Sequence, residues 1–218
     1  MDYKKIVLVI GLWAIIWVPA AGASQSQKEV PGVLSEAKAI ATGLDKDLQK
    51  VRENFLKKDL KASAAALRKG AAYLASLEAQ AAENREQAYL AGMEGLERAA
   101  NRVEKGTVKS VKELEREFES SYHALAQYHY LRATEYWAKK ETANVGQELS
   151  TANAYFESGV KEAGRKERRE VRFVIEDTRI LAGNLVQGAG GVNEEVEKGI
   201  KALGMEIEKL GKIVKEIE

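Results

Sequence analysis

The sequence predicts an all-α fold, an elongated and mostly antiparallel bundle of about five helices, and three observations carry that prediction. Proline occurs only at positions 19 and 31, so the strongest helix breaker is missing from the rest of the chain. From Val33 onward the good helix formers Ala, Glu, Lys, Leu, Arg and Gln dominate. Apolar residues recur at steps of three and four through most of the same stretch. A further observation sets the expected architecture. Residues 54–76 laid on residues 136–158 agree at six of 23 positions without a gap, an offset of 82. The identities are Lys57/Lys139, Lys58/Lys140, Leu67/Leu149, Ala72/Ala154, Tyr73/Tyr155 and Ser76/Ser158. Such self-similarity is the signature of an internal repeat, here two αα-hairpins followed by a final helix.

The first helix is expected from about Val33 to Lys57. Lys57 and Lys58 suit its C-terminus, and Asp59 can cap the next helix. That second helix is expected to run to about Lys105, bent at Gly92 or Gly95 and stopped by Gly106. Ser110 and Glu113 then stand at capping-box spacing and open the third helix, which reaches about Lys140. Its stripe is Val111, Leu114, Phe118, Tyr122, Leu125, His129, Ala133 and Tyr136. The turn Lys139-Lys140-Glu141-Thr142 repeats the first turn.

The fourth helix carries Val145, Leu149, Ala152, Phe156, Val160, Ala163, Val171, Val174, Thr178, Leu181 and Leu185, and GAGG at 188–191 ends it. Gly159, Gly164 and the polar stretch from Arg165 to Glu170 interrupt an otherwise continuous rod. The final helix has Val192, Val196, Ile200, Leu203, Ile207, Leu210, Val214 and Ile217, close to a heptad seam. Two helices of roughly 46 residues would span roughly 69 Å and must pack side by side.

Residues 1–23 read as a secretory signal peptide: Lys4 and Lys5, an apolar run from Ile6 to Val18, and the small-x-small exit Ala21-Gly22-Ala23. An apolar run of 13 residues is short for a membrane span of about 20, and an uncleaved anchor is the alternative. Residues 24–32 read as a flexible linker, and 33–218 as one helical-bundle domain. The expected location is periplasmic or secreted. Without Lys4, Lys5 and Asp2, the 34 basic and 33 acidic residues become 32 of each. No basic excess is left for a nucleic-acid groove, so no nucleic-acid partner is expected. The chain has no cysteine, which excludes a disulfide framework, a lipidated N-terminal cysteine and covalent haem attachment.

Chemistry-bearing side chains concentrate in the third helix. Both histidines, His123 and His129, lie there among Tyr122, Tyr128, Tyr130, Tyr136 and Trp137. A cavity lined by Tyr122, His123, His129, Tyr130, Tyr136 and Trp137 would suit a small amphipathic ligand; a filled aromatic core is the plainer reading. Six residues turn a helix by about 600°, so the two imidazoles point apart and cannot share one ion. A metal would instead use Glu119 and His123, four apart on one face, with carboxylates from another helix. The Glu-x-x-His pair of di-iron bundles is missing, and no cofactor is expected. For His129 the plainer reading is a core histidine bonded to a tyrosine hydroxyl or a backbone carbonyl. Arg165, Lys166, Arg168, Arg169 and Arg172 form the dense basic cluster, read as a solvated helix face, with anionic headgroups as the sharper alternative. The chain has no Gly-rich phosphate loop, His-Glu-x-x-His helix or Gly-x-Ser-x-Gly elbow, so an enzyme is not expected.

Around both turns a helix ends in a short polar turn and a new helix rich in Ala and Leu begins, as KKDLKASAAALRKGA and KKETANVGQELSTAN. This pattern resembles the units of exported all-helical bacterial proteins of the YfdX type. The resemblance covers about 25 residues in each copy. It implies a periplasmic, stress-associated binding or structural role without catalytic residues. The expected function is therefore contact with an unknown protein or small-molecule partner. The rival is a small-ligand or metal carrier built on the third helix. Membrane contact is expected only through an uncleaved leader or weak peripheral binding.

Overall fold

The computed structural model describes residues 33–78, 86–163, 168–189 and 193–215. The signal-peptide and linker assignments fall outside them. The described residues form seven helices and no strand: α1 Val33–Leu56, α2 Leu60–Glu78, α3 Glu86–Glu104, α4 Val111–Ala138, α5 Thr142–Glu162, α6 Arg169–Val186 and α7 Asn193–Lys215. Each helix packs on the next in the chain, and α4 also touches α1 and α7. α4 is thus common to two groups of packed helices, α1 to α4 and α4 to α7, and α1 also packs on α5.

Seven helices replace the expected five because both long rods are divided. The second is not one helix bent at Gly92 or Gly95: α2 ends at Glu78, and α3 packs back against it. The fourth divides after Glu162, at the glycine and polar stretch that interrupt its stripe. Neighbour length is the physical reason. A rod of roughly 46 residues beside the 24-residue α1 would carry half its apolar side chains past the end of its partner. Folding back buries Tyr89, Leu96 and Val103 of α3, and Val171, Ile175 and Leu185 of α6. Gly92 serves packing instead: a Cβ there would lie 3.1 Å from the Cβ of Ala124 on α4.

Four helices stop in the same way. Lys58, Gly106, Lys140 and Gly188 all have φ between 59° and 72°. Each donates its backbone N–H three residues back, and the following residue donates five back, as in Asp59 to Asn54 at 2.9 Å and Glu141 to Tyr136 at 3.0 Å. This is the Schellman closure, which satisfies carbonyls at a helix end. Starts are less uniform. Asp59 Oδ1 accepts from the Ala62 N–H at 2.9 Å, as the sequence predicts. Glu141 makes no side-chain cap at the second turn and instead accepts from the Asn144 amide at 2.6 Å. The Ser110 cap is also missing; Glu113 reaches the Lys109 N–H and Arg102 instead.

The apolar stripes become the core. Leu114, Phe118, Tyr122, Leu125 and Ala133 of α4 and Val145, Leu149, Ala152 and Phe156 of α5 are buried, and α4 and α5 make the most extensive helix pair. On α7, Val196, Ile200, Leu203, Ile207 and Leu210 are buried. His123 and Tyr130, seven apart on α4, face Gly211 and Gly204, seven apart on α7, in reverse order. The two helices therefore run antiparallel, with rings of α4 seated on glycines of α7.

Candidate functional site: a histidine, carboxylate and tyrosine cluster

The shared helix α4 places Tyr128, Arg132 and Tyr136 four residues apart on one face. Arg132 donates to the Tyr128 hydroxyl at 3.1 Å and to the Tyr136 hydroxyl at 3.0 Å. Glu148, from the second turn of α5, closes the cluster. One of its oxygens meets Arg132 at 2.9 Å and the other meets His129 Nδ1 at 2.7 Å. Burial alone would lower the Arg132 pKa, but its bond to Tyr136, the Glu148 charge and its bond to Tyr128 more than offset this and hold it above its ordinary value.

Aromatic rings enclose the ion pair. His129 stacks on Tyr155 of α5 with centroids 5.6 Å apart, and Tyr128 meets it edge-on at 4.9 Å. Tyr89 of α3 lies edge-on to Tyr128 at 4.7 Å, and Tyr122 tilts over Tyr155 at 6.4 Å. His129 is 8% exposed, and its Nε2 has no hydrogen-bond partner among the described residues. A carboxylate only accepts, so the Nδ1 contact with ionised Glu148 puts a proton on Nδ1. Glu148 and His129 thus resemble the orienting half of a nucleophilic triad, but no hydroxyl or thiol meets Nε2 among the described residues.

The six aromatic and histidine positions singled out from sequence do not form one lining. Tyr122 and His129 are buried together, Tyr136 joins through Arg132, and Trp137 is half-buried against the core. His123 and Tyr130 turn away to α7 and its glycines. Burial there raises the Tyr130 pKa. His129 is bonded to a carboxylate rather than to a tyrosine hydroxyl or a backbone carbonyl. Glu119 is buried and His123 lies on Gly211, and the described residues hold no group of three or more His, Asp or Glu placed for a metal. The pair of metal-ligand candidates therefore lacks a third donor among the described residues.

Sequence reasoning missed Arg132, Glu148 and Tyr89. The spacing of Tyr128, Arg132 and Tyr136 was a readable signal, because residues four apart on a helix are neighbours. Glu148 carries no such signal, since its partners belong to another helix. Among the described residues no helix is long and apolar enough to cross a membrane. No family model, curated protein or solved structure matches the chain.

Proposed function

We propose that this is an exported, non-enzymatic helical-bundle protein that acts by contact, in the periplasm or secreted, with the stress-associated role that the YfdX resemblance implies. One observation carries the reading. The chemistry-bearing cluster is taken up by its own bonds: both Glu148 oxygens, His129 Nδ1 and the Arg132 guanidinium all have partners inside the bundle. Groups so engaged hold α4 to α5 and are not presented to a substrate. The test is native mass spectrometry of the protein purified from its own cell envelope. The expected mass is that of the bare chain beginning at Ser24. A chain that retains its leader, or one carrying a stoichiometric metal, overturns the reading.

A small-ligand carrier is the second reading, favoured by the buried His129 Nε2 that has no partner. A ligand donating a hydrogen bond there would satisfy it. The same experiment separates the two. A small-molecule adduct that disappears in His129→Phe selects the carrier.

We further propose that the chain is two copies of a three-helix unit plus a final helix. Lys58 and Lys140, and Gly106 and Gly188, are pairs 82 apart with the same positive φ, and α4 and α7 begin 82 apart. The last helix fits the role of a cap. Lys201, Met205, Glu208 and Lys212 of α7 answer to Glu119, His123, Ala126 and Tyr130 of α4, and all four are exposed. Three of the four, Lys201, Glu208 and Lys212, are charged, and such an outer face closes an array where another unit would otherwise stack.

A further inference from the structure

One end of the bundle is basic, although the whole chain carries a net charge of only +1. There the turn between α1 and α2 meets the turn between α3 and α4: a Cβ on Gly106 would lie 4.0 Å from Leu60 Cδ1. Residues 53–61 and 102–113 hold seven basic and four acidic side chains. The acids are engaged locally. Asp59 caps α2, Glu104 binds Arg68 through both oxygens at 2.6 and 2.7 Å, Glu113 meets Arg102, and Glu53 accepts from the Gln49 amide. Lys57, Lys58, Lys61, Lys105, Lys109 and Lys112 are all exposed, and none makes an ion pair among the described residues. The adjoining end of α5 adds no charge, because Glu162 pairs with Arg52 and Lys161 with Glu157. At the opposite end of the bundle the balance is reversed: residues 135–144 and 193–198 hold three basic and five acidic side chains. Among the lysines, Leu56 at the last position of α1 is 70% exposed, more than any other large apolar side chain of the described residues.

We propose that this lysine-rich end docks on an anionic phospholipid membrane, with Leu56 entering the headgroup boundary, the lysines meeting lipid phosphates and the acidic end held away. The six ammonium groups have no carboxylate to give up, so a surface of phosphates gains their charge without breaking an ion pair. Leu56 selects a membrane over a dissolved polyanion. A soluble phosphate chain offers nothing apolar, whereas the interfacial layer takes up a leucine side chain and the lysine stems together. Opposite charge at the two ends orients the bundle end-on in the field of the surface. This proposal rests on the reading of a protein that works by contact, and names the partner.

The test uses the lack of native cysteine. In the full chain, Ser110→Cys is labelled with an environment-sensitive fluorophore and mixed with vesicles of phosphatidylglycerol or of phosphatidylcholine. Ser110 is exposed between Lys109 and Lys112 and its side chain caps nothing, so the label spares the fold. Gln187→Cys, exposed at the acidic end, is the control for lipid contact made elsewhere, the leader included. The expected result is a blue shift of the label at 110, not at 187, on phosphatidylglycerol alone, reversed by salt. Lys57→Gln combined with Lys105→Gln should weaken apparent vesicle affinity about 25-fold, and Leu56→Ser about ten-fold. Equal response at both labelled positions, equal response to both lipids, or no loss in the lysine variant overturns the proposal. A loss in the lysine variant with none in Leu56→Ser overturns it in favour of a dissolved polyanion. Failure here with a mature chain beginning at Ser24 removes the membrane and leaves the contact function standing.

Discussion

The hydroxyls of Tyr73 on α2 and Tyr155 on α5 lie 3.4 Å apart, although α2 and α5 share little other contact. The two residues are 82 apart and occupy the same place in the self-match. They meet each other, while Tyr155 also packs across its own hairpin on His129 and Tyr122 of α4. A good hydroxyl pair closes to about 2.5–3.0 Å, so this contact is weak. A double-mutant cycle of Tyr73→Phe and Tyr155→Phe, read by urea unfolding, should give a coupling of about 0.5 kcal/mol or less. Coupling above about 1 kcal/mol would mean that the pair tightens in solution.

The Glu148 cluster should matter far more. Its side chain is 12% exposed and its carboxylate serves both His129 and Arg132. Removing one member of a buried ionic network leaves the others without a counter-charge, which costs about 3 kcal/mol. Glu148→Ala should lower stability by that amount. Glu148→Gln keeps shape and an acceptor and should lose about half as much. Equal stability of both variants and the parent would show that the cluster contributes nothing to the fold.

Two glycines separate backbone strain from crowding. At Gly188, with φ of 72°, an added Cβ meets nothing within 4 Å, so Gly188→Ala should cost only the left-handed penalty of about 1 kcal/mol. At Gly146 an added Cβ would lie 2.6 Å from the Ala182 carbonyl oxygen and 2.9 Å from the Val186 nitrogen. Those are backbone atoms of α6 and cannot rotate aside. Gly146→Ala should cost about 2–3 kcal/mol by overpacking. The order of the two midpoints in urea is the measurement, and the reverse order would refute the α5–α6 approach.

The two equivalent turns should differ at their caps. Asp59 caps α2 through its carboxylate, whereas Glu141 makes no such bond to α5. Asp59→Ala should cost about 1 kcal/mol, and Glu141→Ala clearly less. Comparable losses at both positions would place a cap at Glu141 in solution. The comparison also shows what the residues themselves disclose. Asp59 as a cap, Gly106 as a stop and the stripe from Leu114 to Ala133 were legible, because capping, left-handed φ and helical period are local properties. The division after Glu78 was not, since Ala-rich helix continues as well as it reverses and only the length of its neighbours decides, whereas the division after Glu162 was marked by Gly159, Gly164 and the polar stretch that follows. Half of the site was legible for the same reason: His129, Tyr122 and Tyr136 lie on one helix at helical spacing. Glu148 and Tyr89 come from neighbours whose register no local pattern fixes.

Tyr130 should make the fold sensitive to alkali. Burial against α7 raises its pKa above the ordinary value of 10. Below pH 10 the hydroxyl is protonated in the folded and unfolded chains alike, so the full stability is present. Above it the unfolded chain releases this proton before the folded chain does, and the unfolded state is favoured increasingly until the folded pKa is passed. Urea unfolding between pH 8 and pH 11 should therefore show a decline starting near pH 10. Phe cannot ionise, so Tyr130→Phe should show a shallower decline across that window than the parent, and the difference isolates this one hydroxyl from the other tyrosines. Parallel curves for the two proteins would mean that the Tyr130 hydroxyl titrates as freely in the bundle as in the unfolded chain, and that α7 does not shield it from water.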